Sequence, residues 1–123
     1  MVFLNELYTI SNSNQNNGNA VFNIKLNPGH FIYKAHFPNE PITPGVCIIQ
    51  IALELLELYL KRSLQISQVK NVKFLSVMSP KVVTDITYTF TKVCYCDDKQ
   101  FVQSLVFVSG EDKQYAKISL VCK

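Results

Sequence analysis

The feature that most constrains the fold is a long apolar segment, VCIIQIALELLELYLKR, which follows a Pro-Gly pair and contains no glycine or proline. Its leucine-rich composition predicts one helix of about seventeen residues. Four polar positions are spaced by four, three and four residues: Gln50, Glu54, Glu57 and Lys61. Side chains at that spacing share one narrow stripe, so the rest of the helix surface is apolar. We therefore expect a helix that is enclosed by protein on most sides.

Most of the remaining chain is predicted to be β-strand. We predict strands, separated by turn signals, at residues 7–12, 19–26, 69–77, 82–93, 101–109 and 115–122. Apolar and polar residues alternate within 82–93 and 115–122. The Asn17-Gly18 pair predicts a hairpin between the first two strands. We expect the last four strands to pair as an antiparallel meander. Residues 1–123 would then form one α+β domain, a curved antiparallel sheet wrapped around one long central helix.

Charge and composition narrow the possible partners. Charged residues make up 17% of the chain, less than is usual, so part of the surface is expected to be covered by a second copy in a homodimer or higher even oligomer. The net charge of +3 comes from scattered lysines, which argues against nucleic-acid binding. The predicted helix is too short and too interrupted for membrane insertion, which needs roughly twenty apolar residues.

The cysteines and the first ten residues point away from a metal site and from secretion. Cys47, Cys94, Cys96 and Cys122 form no C-x-x-C pair, and only two histidines accompany them, so we expect free thiols, no metal and no cofactor. The start of the chain, MVFLNELYTI, lacks the basic residues and the cleavage site of a secretory signal. We therefore expect a cytoplasmic protein.

A proline-rich segment precedes the helix and is the first place to look for a site. Residues 27–45 contain four of the five prolines of the chain, too many for regular structure. Long loops inside compact domains are uncommon unless they have a function. We therefore expect the functional site in residues 28–45.

The segment PGHFIYKAHFPNEPITPGVCIIQIALELL resembles the signature of the β-hydroxyacyl-acyl carrier protein dehydratases, a GHFPxxPxxPGV loop that runs into a helix. The HFP of that signature matches residues 36–38, and the later NVKFLSVMSP resembles the strand and turn after the helix of that family. The resemblance implies a hotdog fold and a dimer with the active site between subunits. It also implies that the substrate is an acyl thioester on acyl carrier protein or coenzyme A, held in a tunnel.

Dehydration of a 3-hydroxyacyl thioester to the trans-2-enoyl thioester needs a base, an acid and donors for the developing oxyanion. His36 is predicted to be the base, because imidazole titrates near neutral pH, and a structural histidine is the alternative. The Gly45 N–H, at the start of the helix, is predicted to bind the thioester carbonyl. Three neighbours are predicted to contact substrate: Phe37, Pro44 and Val46.

The sequence departs from the family at the acid. The acid of the dehydratases lies fourteen residues after the histidine, and Gln50 is found there. Glu54 follows four residues later on the same stripe, about 6 Å along the helix axis. One hypothesis is that Glu54 supplies the acid while Gln50 orients water or substrate. The alternative is that Glu54 meets a lysine or a backbone group.

Three functions remain open from the sequence. The first is a dehydratase-like lyase of fatty-acid or related acyl-chain biosynthesis, the second is a thioesterase in which Glu54 activates water, and the third is a non-catalytic subunit that binds acyl thioesters. His30 is expected to shape the loop without a catalytic role. Four lysines are candidates for contacting an acidic carrier protein: Lys34, Lys70, Lys73 and Lys81.

Overall fold

The computed structural model describes residues 1–16, 18–35, 39–96, 98 and 100–123. It shows two helices and one six-stranded antiparallel sheet, in the strand order β1-β2-β4-β5-β6-β3, which confirms the predicted α+β class. The elements, in chain order, are β1 (Tyr8–Asn16), β2 (Asn19–Leu26), α1 (Phe31–Ala35), α2 (Gly45–Leu60), β3 (Ile66–Phe74), β4 (Asp85–Cys96), β5 (Phe101–Ser109) and β6 (Gln114–Cys122).

The predicted four-strand meander is wrong for its first strand. Strands β4, β5 and β6 follow one another, but β3 pairs with β6 at the far edge of the sheet, where Val72 lies opposite Ile118. The free edge of β4 is taken by β2, with Ile24 opposite Ile86. The connection of residues 75–84 is too long for a tight hairpin turn, so β3 and β4 need not be neighbours.

The alternation predicted for the residues that form β4 and β6 is confirmed and contributes to the core. Ile86, Tyr88 and Phe90 on β4 are buried, while the threonines between them are half-buried on the other face. On β6, Ile118 and Leu120 are buried in the same way. Residues two apart on a strand share a face, so these side chains form one apolar layer against which α2 packs.

Helix α2 is enclosed, as its narrow polar stripe predicted. Its buried side chains are those of Cys47, Ile48 and all of positions 51–56, which include the polar Glu54. The helix is 16 residues long and ends before Lys61, which adopts the left-handed conformation with φ 56° and donates its N–H to the Glu57 carbonyl. No helix in the described part of the chain is long and apolar enough to cross a membrane.

Helix α1 lies inside the segment that was predicted to lack regular structure. It is a single short turn of five residues, and such a length is too short for apolar periodicity to reveal. Tyr33, at its centre, is buried, whereas Lys34 and Ala35 are exposed. The described part of the segment before α2 therefore consists of this short helix and of residues 39–44, which form neither helix nor strand.

Candidate functional site

Two of the predicted site residues, His36 and Phe37, lie outside the described residues, as do Pro38 and Asn17. Their roles stay predictions. The chain on both sides is described, because α1 ends at Ala35 and residues 39–44 lead into α2. The site can therefore be built from the start of α2 and from the segments that pack around it.

The start of α2 offers free backbone donors. Pro44 precedes the helix in an extended conformation, and its carbonyl accepts hydrogen bonds from the N–H groups of Cys47 and Ile48. Among the described residues, the N–H groups of Gly45 and Val46 meet no acceptor. The first turn of a helix leaves such donors unpaired, and its dipole favours negative charge there. This arrangement suits the predicted contact with a thioester oxygen.

An aromatic ring from β3 lies directly on Gly45. A Cβ atom at this position would be 2.6 Å from Cζ of Phe74, so only glycine permits the ring to lie this close. Phe74 is 50% exposed and Val46, the next helix residue, is 76% exposed. Side chains of this size and exposure leave an apolar surface around the start of the helix.

An apolar groove extends from this point over the surface. A cavity of about 230 Å³ is lined by Gly45, Ile48 and Phe74, among other residues. A second cavity, of about 440 Å³, is lined by Lys81 and Val82 among others, and the two share Ile42 and Val77 as walls. We call the two together the apolar groove. Its first cavity borders Gly45 at the start of α2, and the rim of its second cavity carries Lys81 and Glu40.

Replacing Gly45 with alanine tests how closely Phe74 packs. We expect Gly45→Ala to lower the free energy of unfolding by about 1 kcal/mol, because the new methyl group displaces the half-exposed Phe74 ring. In a Phe74→Ala background the same change is expected to cost nothing, because the clash is gone. Urea denaturation of the four proteins measures both effects. Equal cost in the two backgrounds would contradict the contact.

Gln50 and Glu54 do come together, but they face the amino-terminal segment. Glu54 is fully buried, and Gln50 donates to its Oε2 from Nε2 at 3.0 Å. Each carboxylate oxygen also accepts from backbone N–H groups. The remaining donors are the N–H groups of Val2 (3.2 Å), Phe3 (3.1 Å) and Leu4 (2.9 Å) and the Tyr8 hydroxyl (3.1 Å).

These contacts match the alternative in which Glu54 meets backbone groups. A buried carboxylate is stable only when its oxygens are well supplied with donors, and five donors surround this one. Burial, and then the neighbouring Glu54 carboxylate, raise the pKa of Tyr8 far above its usual value, so its hydroxyl keeps its proton and donates. A catalytic role of Glu54 stays a prediction. The contact between Glu54 and the amino-terminal segment was not predicted from the sequence, because backbone donors have no sequence signal.

His30 is buried beside this segment and shapes the start of α1. Its Nδ1 accepts the N–H of Ile32 at 3.1 Å. Its ring stacks on Phe31, with 4.6 Å between centroids, and meets the edge of Phe3 at 6.1 Å. The His30 imidazole therefore packs against two aromatic rings and caps the start of α1 with a hydrogen bond.

The two buried cysteines are poor candidates for a nucleophile that attacks a thioester. All four are free, and Cys47 and Cys122 are buried. Burial raises the pKa of the Cys47 thiol, and burial together with Glu57 raises the pKa of Cys122 to about 11. Both are therefore protonated at neutral pH. Within residues 1–16, 18–35, 39–96, 98 and 100–123, no three His, Cys, Asp or Glu side chains could hold a metal ion.

The candidate lysines are all exposed, but only one of them lines the apolar groove. Lys81 lies on its wall. Lys34 lies in the last turn of α1, and Lys70 and Lys73 lie on the edge strand β3. The structure thus separates Lys81 from the other three as the cation closest to the groove.

Comparison with solved structures shows the fold. The chain is similar to the dehydratase heterocomplex ApeI:P from Xenorhabdus doucetiae, at 18% identity and a TM-score of 0.73 over 94% of this chain and 97% of that one. It is similar to an uncharacterized protein from Erwinia carotovora subsp. atroseptica, at 14% identity and a TM-score of 0.62 over 94% and 92%. A putative thioesterase from Shewanella oneidensis shares 10% identity, with a TM-score of 0.54 over 95% and 82%.

The sheet and helix α2 together form the hotdog fold of these dehydratase and thioesterase structures. Comparison with curated protein sequences finds no match. The profile of the ApeI-like family, described as ApeI dehydratase, matches residues 11–116. That match covers both the proline-rich segment and the whole of α2. The chain therefore belongs to the ApeI-like dehydratase family.

Proposed function

We propose that the protein dehydrates 3-hydroxyacyl thioesters, carried by acyl carrier protein or coenzyme A, to trans-2-enoyl thioesters during acyl-chain biosynthesis. One observation carries the proposal: in a chain of a dehydratase family, an apolar groove is lined by Gly45, whose N–H meets no acceptor among the described residues. Such a groove suits an acyl chain, and such a donor suits a thioester carbonyl. Lys81, on the groove wall, suits the phosphate of the carrier arm.

The proposed reaction divides its proton transfers between two groups. His36 removes a proton from the carbon next to the carbonyl, and the negative charge moves to the thioester oxygen, which the Gly45 N–H binds. An acid then donates a proton to the hydroxyl on the next carbon. That hydroxyl leaves as water while the double bond forms.

Two versions of the proposal differ in which group is the acid. In the first, Glu54 is the acid. In the second, this chain is the base-bearing subunit, and a non-identical subunit of the same fold supplies the carboxyl group. Two observations favour the second version: the Glu54 oxygens are engaged by five donors, and the acid position of the dehydratases holds Gln50. The X. doucetiae dehydratase is itself a heterocomplex.

The thioesterase alternative has less support from the same contacts. It requires Glu54 to hold and activate a water molecule, whereas its oxygens hold protein donors. A non-catalytic subunit that binds acyl thioesters would keep the groove and lack the acid. The proposed assembly, homodimeric or of two different chains, would cover the exposed side chains of Phe74, Leu75 and Val77 beside the edge strand β3.

One assay separates these functions. The protein, isolated together with any subunit that co-purifies with it, is offered 3-hydroxyacyl thioesters on acyl carrier protein and on coenzyme A, and enoyl formation and thiol release are followed in parallel. We expect enoyl product without thiol release. Release of free thiol would identify a thioesterase, and binding without turnover would identify a non-catalytic subunit. A protein that neither binds nor turns over any of these thioesters would contradict the proposal.

A further inference from the structure

The outer face of the sheet carries two lysines at directly opposite positions. Ile118 on β6 and its β3 partner Val72 belong to the apolar layer against which α2 packs, so the residues next to them point to the other face. On that face Lys73 of β3 is the pairing partner of Lys117 of β6, and both are exposed. Like charges at such positions repel each other, so this arrangement costs stability.

The neighbouring pair of residues completes a set of four donors. Asn71 of β3 is paired with Ser119 of β6, two residues along each strand from the lysines, so this pair shares their face. An amide NH₂ and a hydroxyl can donate hydrogen bonds, as can two ammonium groups. All four residues line a cavity of about 50 Å³. Such a cavity has room for a few water molecules or for one tetrahedral oxyanion.

The strands around this set, which we call the four-donor cluster (Asn71, Lys73, Lys117 and Ser119), carry no opposite charge. Strands β5, β6 and β3 are consecutive in the sheet, and none of the three contains an aspartate or a glutamate. On β5, the partners of Ser119 and Lys117 are the half-buried Leu105 and Phe107. This part of the outer face is therefore positively charged and partly apolar.

The Phe107 ring fixes one of the two cations. The Lys117 Nζ lies over this ring, 5.6 Å from its centroid. The ring attracts the ammonium group but does not neutralise it, because the ring has no net charge. The contact draws Lys117 toward β5, whereas Lys73 belongs to β3 on the other side of β6. One anion placed above β6 can therefore contact both cations.

We propose that the four-donor cluster binds a phosphate monoester. Such a group has a charge of about −1.5 to −2 at neutral pH and three acceptor oxygens, which suits two ammonium groups and two neutral donors. A carboxylate has one negative charge and balances only one of the lysines. Leu105 and Phe107 lie beside the cluster, so an ester with an apolar group next to its phosphate gains a further contact. Because the cluster lies on the face opposite to α2, this binding does not depend on the proposed function.

The direct test is a titration of the full chain with inorganic phosphate and with phenyl phosphate at constant ionic strength, followed by amide ¹H–¹⁵N spectra. We expect saturable shifts at the four-donor cluster with a Kd on the order of 1 mM, and tighter binding of phenyl phosphate. Acetate should bind at least about tenfold more weakly. Shifts that do not saturate, or that are as large with acetate, would overturn the inference.

Replacing single lysines locates the bound phosphate. We expect Lys73→Gln and Lys117→Gln each to raise the Kd for phenyl phosphate by at least about tenfold, because each removes a charge-assisted hydrogen bond. Lys70→Gln is the matched control, since Lys70 is exposed on the same strand but does not line the cavity. Its effect should stay below about threefold, because salt screens exposed charges. Equal effects of Lys70→Gln and Lys73→Gln would indicate general attraction to a positive face and would overturn the inference.

Thermal unfolding tests the repulsion between the two lysines. Without phosphate and at low salt, Lys73→Gln should unfold at a Tm that is higher than that of the wild-type protein by on the order of 2 °C, because the like-charge pair is gone. Phenyl phosphate should raise the Tm of the wild-type protein but not that of Lys73→Gln. A Tm of Lys73→Gln below that of the wild-type protein would assign Lys73 a stabilising role instead and would count against the inference.

Two further ligands distinguish the source of the phosphate. Adenosine 3′-phosphate represents a nucleotide, and a phosphoserine peptide represents a modified protein. The ligand that binds more tightly than inorganic phosphate, and loses that advantage in Lys73→Gln, identifies the source. If neither ligand binds more tightly than inorganic phosphate, the assignment of the cluster to a phosphate monoester is wrong.

Discussion

Replacing His36 with glutamine is expected to lower kcat for enoyl formation by on the order of 10²- to 10⁴-fold, the usual cost of losing a general base. Glutamine keeps a polar side chain of similar reach but cannot take up the proton from the carbon next to the carbonyl. The free N–H groups at Gly45 and the apolar groove remain, so substrate binding should change little. Steady-state kinetics and thioester binding by calorimetry measure the two effects separately.

The fold of the variant is checked by thermal unfolding, which should match that of the wild-type protein. A His36→Gln protein that is folded, binds the thioester and retains most of the wild-type kcat would contradict the role of His36 as base. Loss of binding together with kcat would instead indicate the structural alternative, in which the histidine shapes the loop.

The second large effect is expected in stability. Glu54→Leu should lower the free energy of unfolding by about 3 kcal/mol, because three backbone N–H groups and two side-chain donors lose their common acceptor inside the fold. For a domain of this size that loss corresponds to roughly 10 °C in Tm. Chemical denaturation and calorimetry measure both quantities.

Glu57→Gln is the matched control on the same helix. Glu57 is half-buried, and its side-chain carboxylate accepts one backbone hydrogen bond, from the Leu64 N–H at 2.9 Å, which the glutamine carbonyl can replace. Its cost should therefore stay below about 1 kcal/mol. Equal destabilisation by Glu54→Leu and Glu57→Gln would contradict a structural role for the hydrogen bonds between Glu54 and residues 2–4, which we call the clamp.

Glu54→Gln separates the clamp from acid catalysis. If Glu54 only binds the amino-terminal segment, its carboxyl group takes no part in proton transfer. The folded Glu54→Gln variant, measured at a temperature where it is folded, should then keep most of the wild-type kcat. We expect that result. A loss of kcat by on the order of 10²- to 10⁴-fold in the folded Glu54→Gln protein would instead assign Glu54 the acid role.

Local patterns in the sequence determined α2 and the strands, and the buried faces of β4 and β6, but not the short helix α1. The uninterrupted leucine-rich segment predicted α2, and alternation on β4 predicted which side chains, such as Tyr88 and Phe90, face the core. These features follow from the helix and strand periods, which are properties of neighbouring residues. The proline-rich composition of residues 27–45, together with the resemblance of HFPNEPITPG, likewise predicted a site before α2.

Only the tertiary structure decided the partners of the elements and of the polar side chains. The position of β3 beside β6, the ring of Phe74 on Gly45 and the donors around Glu54 all join segments far apart in the chain. Leu4 and Glu54, for example, are 50 positions apart. Every residue except proline has a backbone N–H, and hydroxyl side chains occur throughout the sequence. Periodicity and composition therefore do not indicate which of these groups form hydrogen bonds with one another. Packing of the whole chain selects those pairs, because it leaves each buried polar group only the partners within reach.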